Sequence, residues 1–355
     1  MKKIIIYMPK LKYGGMELSL LNFLNESNIA NNFNVDLYLI NCENSELLQR
    51  VNKKVNVHLI CPGKWNIKGK IITLIKLIGI YLKTPKSDIG ICYSNHHKIL
   101  ADLTRKSSKN SILFVHSDLF RYETDKEKKA IKNKISFDKF GKIICVSKNV
   151  VKSLVGLYNK DIQKKCYVVP NYVDGKKILS LADEKIKEKI DFKKPTFISV
   201  ANHNEKYKNI NAIIDSSYEL KKLGYDFQVL LVGQGKDTDS YIKKINELSL
   251  EDNIKLLYSK PNPYPYLKKS GALLFTSRYE GYGMVLDEAR VLNVPIISFG
   301  SGASYEICKD GYGIITKDLT KAMIDVIEKK ESSKKKFDYV KHNKTITDLY
   351  DIIIK

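Results

Sequence analysis

The sequence has few features of a membrane-spanning, disulfide-bonded or metal-binding protein. None of its 355 residues lies in a run of about 18 apolar residues, the length that a transmembrane helix needs. The six cysteines form no CxxC pair, and several lie in apolar stretches, as Cys92 and Cys145 do, which favours reduced core thiols. The histidines show no metal-ligand spacing. These absences predict a cytoplasmic protein without a bound metal.

Acidic residues are scarce in the first half of the chain. Residues 1–170 contain 30 basic and 13 acidic side chains, a net charge of +17, whereas the remainder contains 31 and 26, a net charge of +5. Such an excess indicates an anionic partner: phospholipid headgroups, a lipid-linked phosphate or a nucleic acid. A basic nucleic-acid-binding protein is one alternative, but no aromatic-basic recognition motif supports it.

Apolar runs alternate with segments of helical periodicity along the chain. This alternation predicts an α/β protein with parallel, doubly wound sheets, whose ligands bind at the carboxyl ends of the strands. The length is sufficient for two cores. The predicted strands are residues 3–8, 35–40, 57–60, 89–93, 112–115, 142–146, 195–200, 227–233, 271–276 and 294–299, and the segment 166–174 closes the first half with a further strand and a turn.

The stretch 277–289 carries the clearest signal for a binding site. It follows an apolar strand, crosses a turn that contains Gly281 and Gly283, and enters a helix. Glycines let a ligand approach the backbone, and the free N–H groups of a helix N-terminus favour phosphate. Along a helix, Glu280 and Glu288 would be about 12 Å apart on nearly the same face. We therefore expect the two carboxylates to bind the sugar and the ribose of one nucleotide-sugar, with the diphosphate between them.

Three other segments contain candidate site residues, each with an alternative explanation. Gly14 and Gly15 follow the first strand, where they form either a phosphate or sugar cradle or a plain tight turn. His116 ends a strand, where it either contacts a sugar hydroxyl and moves a proton near pH 7 or is satisfied by a backbone group. The loop 202–209 either brings Lys208 to a diphosphate or is simply solvated.

Two weaker patterns lie in the second half. The tripeptide Gly233-Gln234-Gly235 is a fragment of a dinucleotide fingerprint without its third glycine, so it gives little support for an NAD site. Asp237 and Asp239 have a spacing that can bind a divalent ion with a nucleotide-sugar, but they lie in a polar loop beside Lys236. We assign neither NAD nor a metal to this segment.

The segment 68–83 predicts a helix that is apolar around most of its circumference and basic at its ends and at Lys76. Such a helix could lie on an anionic membrane or be buried in the core. Residues 51–110 contain 12 basic and only 2 acidic side chains, which favours the membrane surface.

Together these motifs resemble the large retaining glycosyltransferases of the GT-B fold, family 4 in the usual classification. The resemblance covers nearly the whole chain in order. It implies two Rossmann-like doubly wound domains facing each other across a cleft, at residues 1–172 and 173–337, with a C-terminal helix at 338–355 that crosses back to the first domain. The motifs that carry it are Gly14-Gly15-Met16-Glu17, Val115-His116-Ser117-Asp118, Val169-Pro170-Asn171-Tyr172-Val173-Asp174, Lys208-Asn209, Glu280 with Glu288, and Gly302 through Glu306.

The resemblance also implies roles for individual residues. Glu280 would bind the donor sugar and Glu288 the ribose, while His116 would contact the sugar near its reacting carbon and Lys208 would neutralise the leaving phosphate. Glu280, His116 and Lys208 are therefore the expected catalytic residues. The expected donor-binding residues are Gly14, Gly15, Asn202, Lys208, Gly281, Tyr282, Gly283, Met284 and Glu288.

The activity implied is metal-independent transfer of a hexose from a UDP-linked nucleotide-sugar to a hydroxyl of a glycan, with retention at the anomeric carbon. By analogy the acceptor is a lipid-linked glycan of a bacterial-type surface polysaccharide such as a capsule, and the enzyme lies peripherally on the inner face of the cell membrane. No cofactor and no nucleic acid are expected, since the nucleotide-sugar is a co-substrate. Asn202 stands where many members have an arginine, which leaves an inactive sugar- or partner-binding subunit as an alternative.

Overall fold

Two parallel β-sheets with their helices account for most of the structure. The computed structural model describes residues 1–12, 14–61, 67–83, 86–329 and 335–354, but no side chain at 67–70, 74, 81 or 83. The chain divides into two units, one formed by Met1–Tyr172 with Lys341–Lys355 and the other by Val173–Val340.

The first unit contains a seven-stranded sheet. Its strands are β1 (Lys3–Leu11), β2 (Asn34–Cys42), β3 (Val55–Leu59), β4 (Ser87–Cys92), β5 (Ser108–Val115), β6 (Lys142–Cys145) and β7 (Cys166–Val168). They are all parallel and lie in the order β3-β2-β1-β4-β5-β6-β7. The helices are α1 (Gly15–Glu26), α2 (Ile29–Asn32), α3 (Ser45–Gln49), α4 (Ile67–Lys83), α5 (Lys98–Lys106), α6 (Asp125–Ile135) and α7 (Lys148–Leu157).

The second unit contains a six-stranded sheet. Its strands are β8 (Thr196–Val200), β9 (Gln228–Val232), β10 (Ile254–Tyr258), β11 (Ala272–Phe275), β12 (Ile296–Ser298) and β13 (Gly313–Ile315). They are also parallel, in the order β10-β9-β8-β11-β12-β13. The helices are α8 (Gly175–Leu181), α9 (Glu205–Lys208), α10 (Asn211–Lys222), α11 (Thr238–Glu247), α12 (Tyr264–Lys268), α13 (Met284–Val291), α14 (Ser304–Ile307) and α15 (Leu319–Ile327). The helix that follows them in the chain, α16 (Tyr339–Ile354), belongs almost entirely to the first unit.

The predicted fold class, two doubly wound α/β domains with parallel sheets, is confirmed. The strand ends are less accurate: β3 begins at Val55 and β5 at Ser108, both earlier than predicted. The prediction also missed β10 and β13. In β10 Lys255 interrupts the apolar run, and β13 has only three residues, so neither gives the long apolar segment of a buried strand.

The central strands are buried on both faces, as parallel sheets covered by helices require. In β1, Ile4, Ile5 and Ile6 all have no exposed surface, although consecutive side chains point to opposite faces. Burying an isoleucine side chain stabilises a fold by about 1.5–3 kcal/mol. The unbroken aliphatic run at the start of the sequence therefore specifies a central strand.

Helix α16 packs mainly against the first unit. Ile346, Tyr350 and Ile353 are buried, at the spacing of one helical face. The Tyr350 ring lies 4.8 Å from the Phe23 ring and 5.8 Å from the Tyr172 ring, measured between centroids. The C-terminal helix is thus part of the core that contains β1 and α1.

The helix predicted at 68–83 is present as α4. Burial in the core, one of its two proposed environments, applies to only part of its surface. Thr73 and Leu77 are buried. Five aliphatic side chains of the same helix are 49–69% exposed, namely Ile71, Ile72, Ile75, Ile78 and Leu82. No helix in the described part of the chain has the length and hydropathy needed to span a membrane.

Candidate functional site

The glycine turn before α13 forms the backbone of the candidate site in the second unit. Gly283 has φ +93° and is the N-terminal cap of α13. A Cβ atom there would lie 2.8 Å from the Phe275 ring and 2.9 Å from Leu286, so any larger residue would be strained and would clash. Gly281 is buried two residues earlier, and Met284 is the first helical residue. The first N–H groups of a helix have no intrahelical acceptor, which suits an anionic ligand.

The helical spacing predicted for the two glutamates is wrong. Helix α13 begins at Met284, so Glu280 lies four residues before it in the loop and only Glu288 is on the helix. The glycines break the periodicity because Gly283 adopts a left-handed conformation that no α-helix contains. The estimate of 12 Å along one helical face therefore does not apply to this pair.

The structure brings Lys208 and Glu280 together, although 72 residues separate them. The Lys208 ammonium donates a hydrogen bond to Glu280 Oε2, and both side chains are about one-fifth exposed, at 22% and 20%. Thr276 Oγ1 donates to the Lys208 carbonyl at 2.9 Å. Lys208 is the last residue of α9, which stops at Asn209 in the left-handed conformation. A cation and an anion predicted to contact the same donor therefore lie side by side.

Arg278 joins the two loops that carry this pair, and the sequence analysis missed it. Its backbone N–H donates to the Tyr207 carbonyl at 2.8 Å, and its guanidinium donates to the Glu205 carbonyl at 2.8 Å and to Asn209 Oδ1. Two of these acceptors are backbone oxygens, which no residue pattern reveals. The only signal was an arginine two residues before Glu280.

Glu288 is a half-buried carboxyl at the middle of α13. Burial, followed by the charge of the adjacent Asp287, raises the pKa of Glu288 to about 7. The Tyr264 hydroxyl lies 3.5 Å from Glu288 Oε1. A carboxyl near its midpoint at neutral pH can both accept and donate hydrogen bonds, which matches the two neighbouring hydroxyls of a ribose.

Tyr282 does not present its side chain to a ligand, contrary to the simplest interpretation of its donor-binding role. The phenol is buried and donates to Asp287 Oδ2 at 2.7 Å. Arg290 donates to the other oxygen of Asp287 and lies 3.8 Å from the centre of the Phe337 ring. This network holds the Tyr282 side chain against α13. Tyr282 can therefore contact a sugar donor only through its backbone.

Asn202 is exposed and its amide donates to the Gln234 carbonyl at 3.1 Å. The glycines beside Gln234 allow close packing between two loops: a Cβ at Gly233 would lie 1.8 Å from the Ala201 carbonyl oxygen, and one at Gly235 would lie 2.4 Å from that of His203. These glycines are therefore explained by packing and do not require a dinucleotide.

Of the two carboxylates considered for a metal, Asp237 and Asp239, the first has a structural role. Asp237 Oδ2 accepts a hydrogen bond from the Glu205 backbone N–H at 2.7 Å. Within the described ranges, no group of three or more histidine, cysteine, aspartate or glutamate residues is arranged to hold a metal ion.

His116 lies at the end of β5 in the first unit. Burial, followed by the neighbouring His96, lowers the pKa of His116 to about 3, so the ring is neutral at pH 7 and the predicted proton transfer near that pH is not supported. Its Nε2 atom is buried, and among the described residues it has no hydrogen-bond partner. Its ring stacks 5.7 Å from Phe114. A buried polar atom without a partner is costly, so His116 Nε2 is a candidate ligand contact.

Gly14 and Gly15 start α1. Gly14 has an extended backbone, but a Cβ there would lie 2.5 Å from Glu17 Oε2, and Gly15 is the exposed first residue of the helix. The Glu17 side chain is buried beside this helix N-terminus, and burial raises the pKa of its carboxyl. Two anions at one helix end repel each other. Binding of a phosphate at Gly14 is therefore easier when the Glu17 carboxyl is protonated or has moved away.

Comparison with known families and proteins gives the following results. Residues 182–345, which lie mostly in the second unit, match the model of the family described as glycosyl transferases group 1. An uncharacterized glycosyltransferase of Methanocaldococcus jannaschii is 27% identical over 206 residues, covering 53% of this chain and 50% of that protein. The amylovoran biosynthesis glycosyltransferase AmsD of Erwinia amylovora is 30% identical over 134 residues, covering 37% and 38%.

A third relative is the N-acetylgalactosamine-N,N'-diacetylbacillosaminyl-diphospho-undecaprenol 4-alpha-N-acetylgalactosaminyltransferase of Campylobacter jejuni. It is 29% identical over 158 residues, covering 43% of this chain and 40% of the relative. The chain thus matches half or less of the length of each of these three proteins.

Solved structures extend the likeness to the whole fold. Anabaena Alr3699/HepE in complex with UDP and glucose has a TM-score of 0.74 at 15% identity, covering 99% of this chain and 100% of that one. WaaG, a glycosyltransferase involved in lipopolysaccharide biosynthesis, has a TM-score of 0.65 at 12% identity, covering 97% and 95%. The fold is therefore GT-B.

Proposed function

We propose that the protein is a retaining glycosyltransferase of family 4 that transfers a hexose from a UDP-linked nucleotide-sugar to a hydroxyl of a lipid-linked glycan. The observation that carries the proposal is the pairing of Lys208 with Glu280 beside the glycine turn of α13, with Glu288 on the same helix. This set combines a cation, the N–H groups of a helix N-terminus and two carboxyls, which suit the phosphates and hydroxyls of a nucleotide-sugar. The family match of residues 182–345 supports this assignment.

Each group has a specific role in the proposed reaction. The diphosphate binds at the N–H groups that begin α13, and the Lys208 ammonium moves from Glu280 to the phosphate that leaves. Glu280 then binds hydroxyls of the donor sugar, and Glu288 binds the ribose. Fixed positive groups of this kind stabilise the charge that develops on the departing diphosphate, so we propose a reaction that requires no metal ion.

Residues of the first unit complete the proposed mechanism. His116 contributes a neutral imidazole whose buried Nε2 atom bonds a sugar hydroxyl near the reacting carbon. Gly14 and Gly15 approach the diphosphate with their backbone. The sugar is transferred with retention at the anomeric carbon, as in the family that the motifs resemble.

The proposed donor and acceptor classes have support from the similar proteins. The HepE structures contain UDP, with glucose or as UDP-glucose, and the Campylobacter relative is named for an undecaprenol diphosphate substrate. Relatives from Erwinia and Staphylococcus aureus are named for amylovoran and capsular polysaccharide biosynthesis. Together with the net charge of +17 in residues 1–170, these names support a surface polysaccharide pathway at the cytoplasmic face of the membrane.

Asn202 supports one rival proposal, an inactive subunit that only binds a sugar or a partner. Its amide already donates to the Gln234 carbonyl and it supplies no positive charge. The rival predicts donor binding without turnover, so the two proposals differ in a measurable way.

The test has two stages. A panel of nucleotide-sugars is first scored by thermal shift, and release of nucleoside diphosphate is then measured for the donor that binds. Lys208→Met and Glu280→Gln should each lower turnover at least about 100-fold, as removal of a charge-stabilising group does. Lys243→Met is the matched control, because Lys243 forms an exposed ion pair with Glu247. Full turnover in either site variant would overturn the proposal, and donor binding without any turnover in the native protein would establish the rival.

A further inference from the structure

Helix α4 presents an aliphatic face to solvent. Ile71, Ile72, Ile75, Ile78 and Leu82 are each 49–69% exposed, whereas Thr73 and Leu77 are buried. Single exposed apolar residues are ordinary on protein surfaces, but a continuous group on one helix indicates an interaction site. The question is therefore whether these five side chains share one face.

Helical geometry places all five on one stripe. At about 100° per residue they fall within an arc of about 120°, and Thr73 and Leu77 lie on the opposite side. Ile71 and Leu82 are about 16 Å apart along the helix axis. The buried side attaches α4 to the first unit, and the stripe faces away from it.

Cationic groups lie beside this stripe at the position of Ile78. An open groove of about 610 Å³ is lined by residues of α4 and α5 and by the segment after α6. Its aliphatic part consists of Leu77, Ile78 and Ile99, and its cationic part of Arg105, Lys106 and Lys139. The acidic residue in the groove, Asp102, already pairs with Arg105 and with Lys98, at 3.2 Å from the latter.

The next helix continues the positive charge. Helix α6 contacts α5 and contains five lysines, of which Lys126, Lys129 and Lys134 are exposed. Helices α5 and α6 also follow directly in the chain after His97 and shortly after His116. The charged helices therefore lie close in sequence to the strand end that carries His116.

This combination fits an anionic phospholipid surface better than a second copy of the chain. Aliphatic side chains can enter the boundary of the acyl chains while lysines and arginines contact lipid phosphates. A symmetric dimer through the same face would bring like charges together, because each copy would present the same lysines to the other.

We propose that the α4 stripe and the adjoining basic groove dock the protein on an anionic membrane, with α4 lying in the plane of the interface. The docking rests on the proposed function for its purpose, since a lipid-linked acceptor is found only at a membrane. The binding itself needs no sugar nucleotide, so it can be tested separately.

The experiment measures sedimentation of the full chain with phospholipid vesicles. Vesicles of phosphatidylcholine mixed with phosphatidylglycerol should bind the native protein, pure phosphatidylcholine should bind it much less, and added salt should release it. The triple variant Ile71→Gln, Ile75→Gln and Leu82→Gln should bind the mixed vesicles at least about tenfold more weakly. The matched control replaces three aliphatic residues elsewhere that are 61–71% exposed, Leu223, Val340 and Ile352, by glutamine and should bind like the native protein.

Three outcomes would overturn the proposal: equal binding of the triple variant and the native protein, equal binding to neutral vesicles, or a native dimer that the triple variant dissociates without a change in vesicle binding. Thermal shift with the cognate nucleotide-sugar is measured on every variant. A triple variant that retains its donor shift but loses vesicle binding supports the docking face. Absence of any donor shift in the native protein would count against the glycosyltransferase proposal and leave the vesicle result standing.

Discussion

The unusual carboxyl of Glu288 makes the stability of the protein depend on pH in a predictable direction. The pKa of Glu288 is raised from 4.5 to about 7, mainly by burial. A pKa that is higher in the folded state means that folding favours the protonated form. This contribution is fully present below pH 4.5 and is lost as the pH rises through 7. With allowance for partial solvent screening, deprotonation should cost about 1–3 kcal/mol of unfolding free energy.

Glu288→Gln should remove this loss, because glutamine has nearly the same shape and cannot ionise. In urea titrations without donor, the variant should gain about 1–3 kcal/mol over the native protein at pH 8.5 and little at pH 5. Glu251→Gln, at an exposed carboxyl, is the control and should show no such difference between the two pH values. A gain for Glu288→Gln that is the same at both pH values would refute the assignment of the raised pKa.

Two further predictions concern the support of α13. Gly283→Ala should lower the free energy of unfolding, measured in urea, by about 1–3 kcal/mol. The loss should exceed that of Gly224→Ala, because Gly224 also has a positive φ but has open space around its Cβ position. Equal losses would contradict the proposed clash. Asp287→Ala should lower the free energy of unfolding by about 3–5 kcal/mol, because it leaves Arg290 buried without its charge partner. The double variant Asp287→Ala with Arg290→Met should lose less stability. An equal or greater loss in the double variant would contradict this explanation.

The fold was predictable because its signals are local. A parallel strand such as β1 is a continuous aliphatic run, and its burial on both faces follows from that composition alone. Strands that carry a charge, such as β10 with Lys255, or that contain three residues, such as β13, do not produce this signal.

The site was less predictable because its contacts are distant in sequence. Lys208 and Glu280 could each be proposed from the sequence, but their ion pair depends on the packing of two loops. Arg278 was missed because two of its acceptors, the carbonyl oxygens of Tyr207 and Glu205, belong to the backbone and leave no trace in the residue pattern. The direction of the Tyr282 side chain was not predictable, because a glycine on either side of a residue removes the periodicity that would reveal it.

The position of α16 determines when the first unit can become complete during synthesis. The core of the first unit includes Ile346, Tyr350 and Ile353 of α16, yet all of the second unit is synthesised before these residues. In a nascent chain, the Phe23 and Tyr172 rings therefore lack their contact with Tyr350 until α16 has left the ribosome. The second unit is a continuous segment and meets no such delay. The first unit can therefore complete its core only after the whole of the second unit has been synthesised.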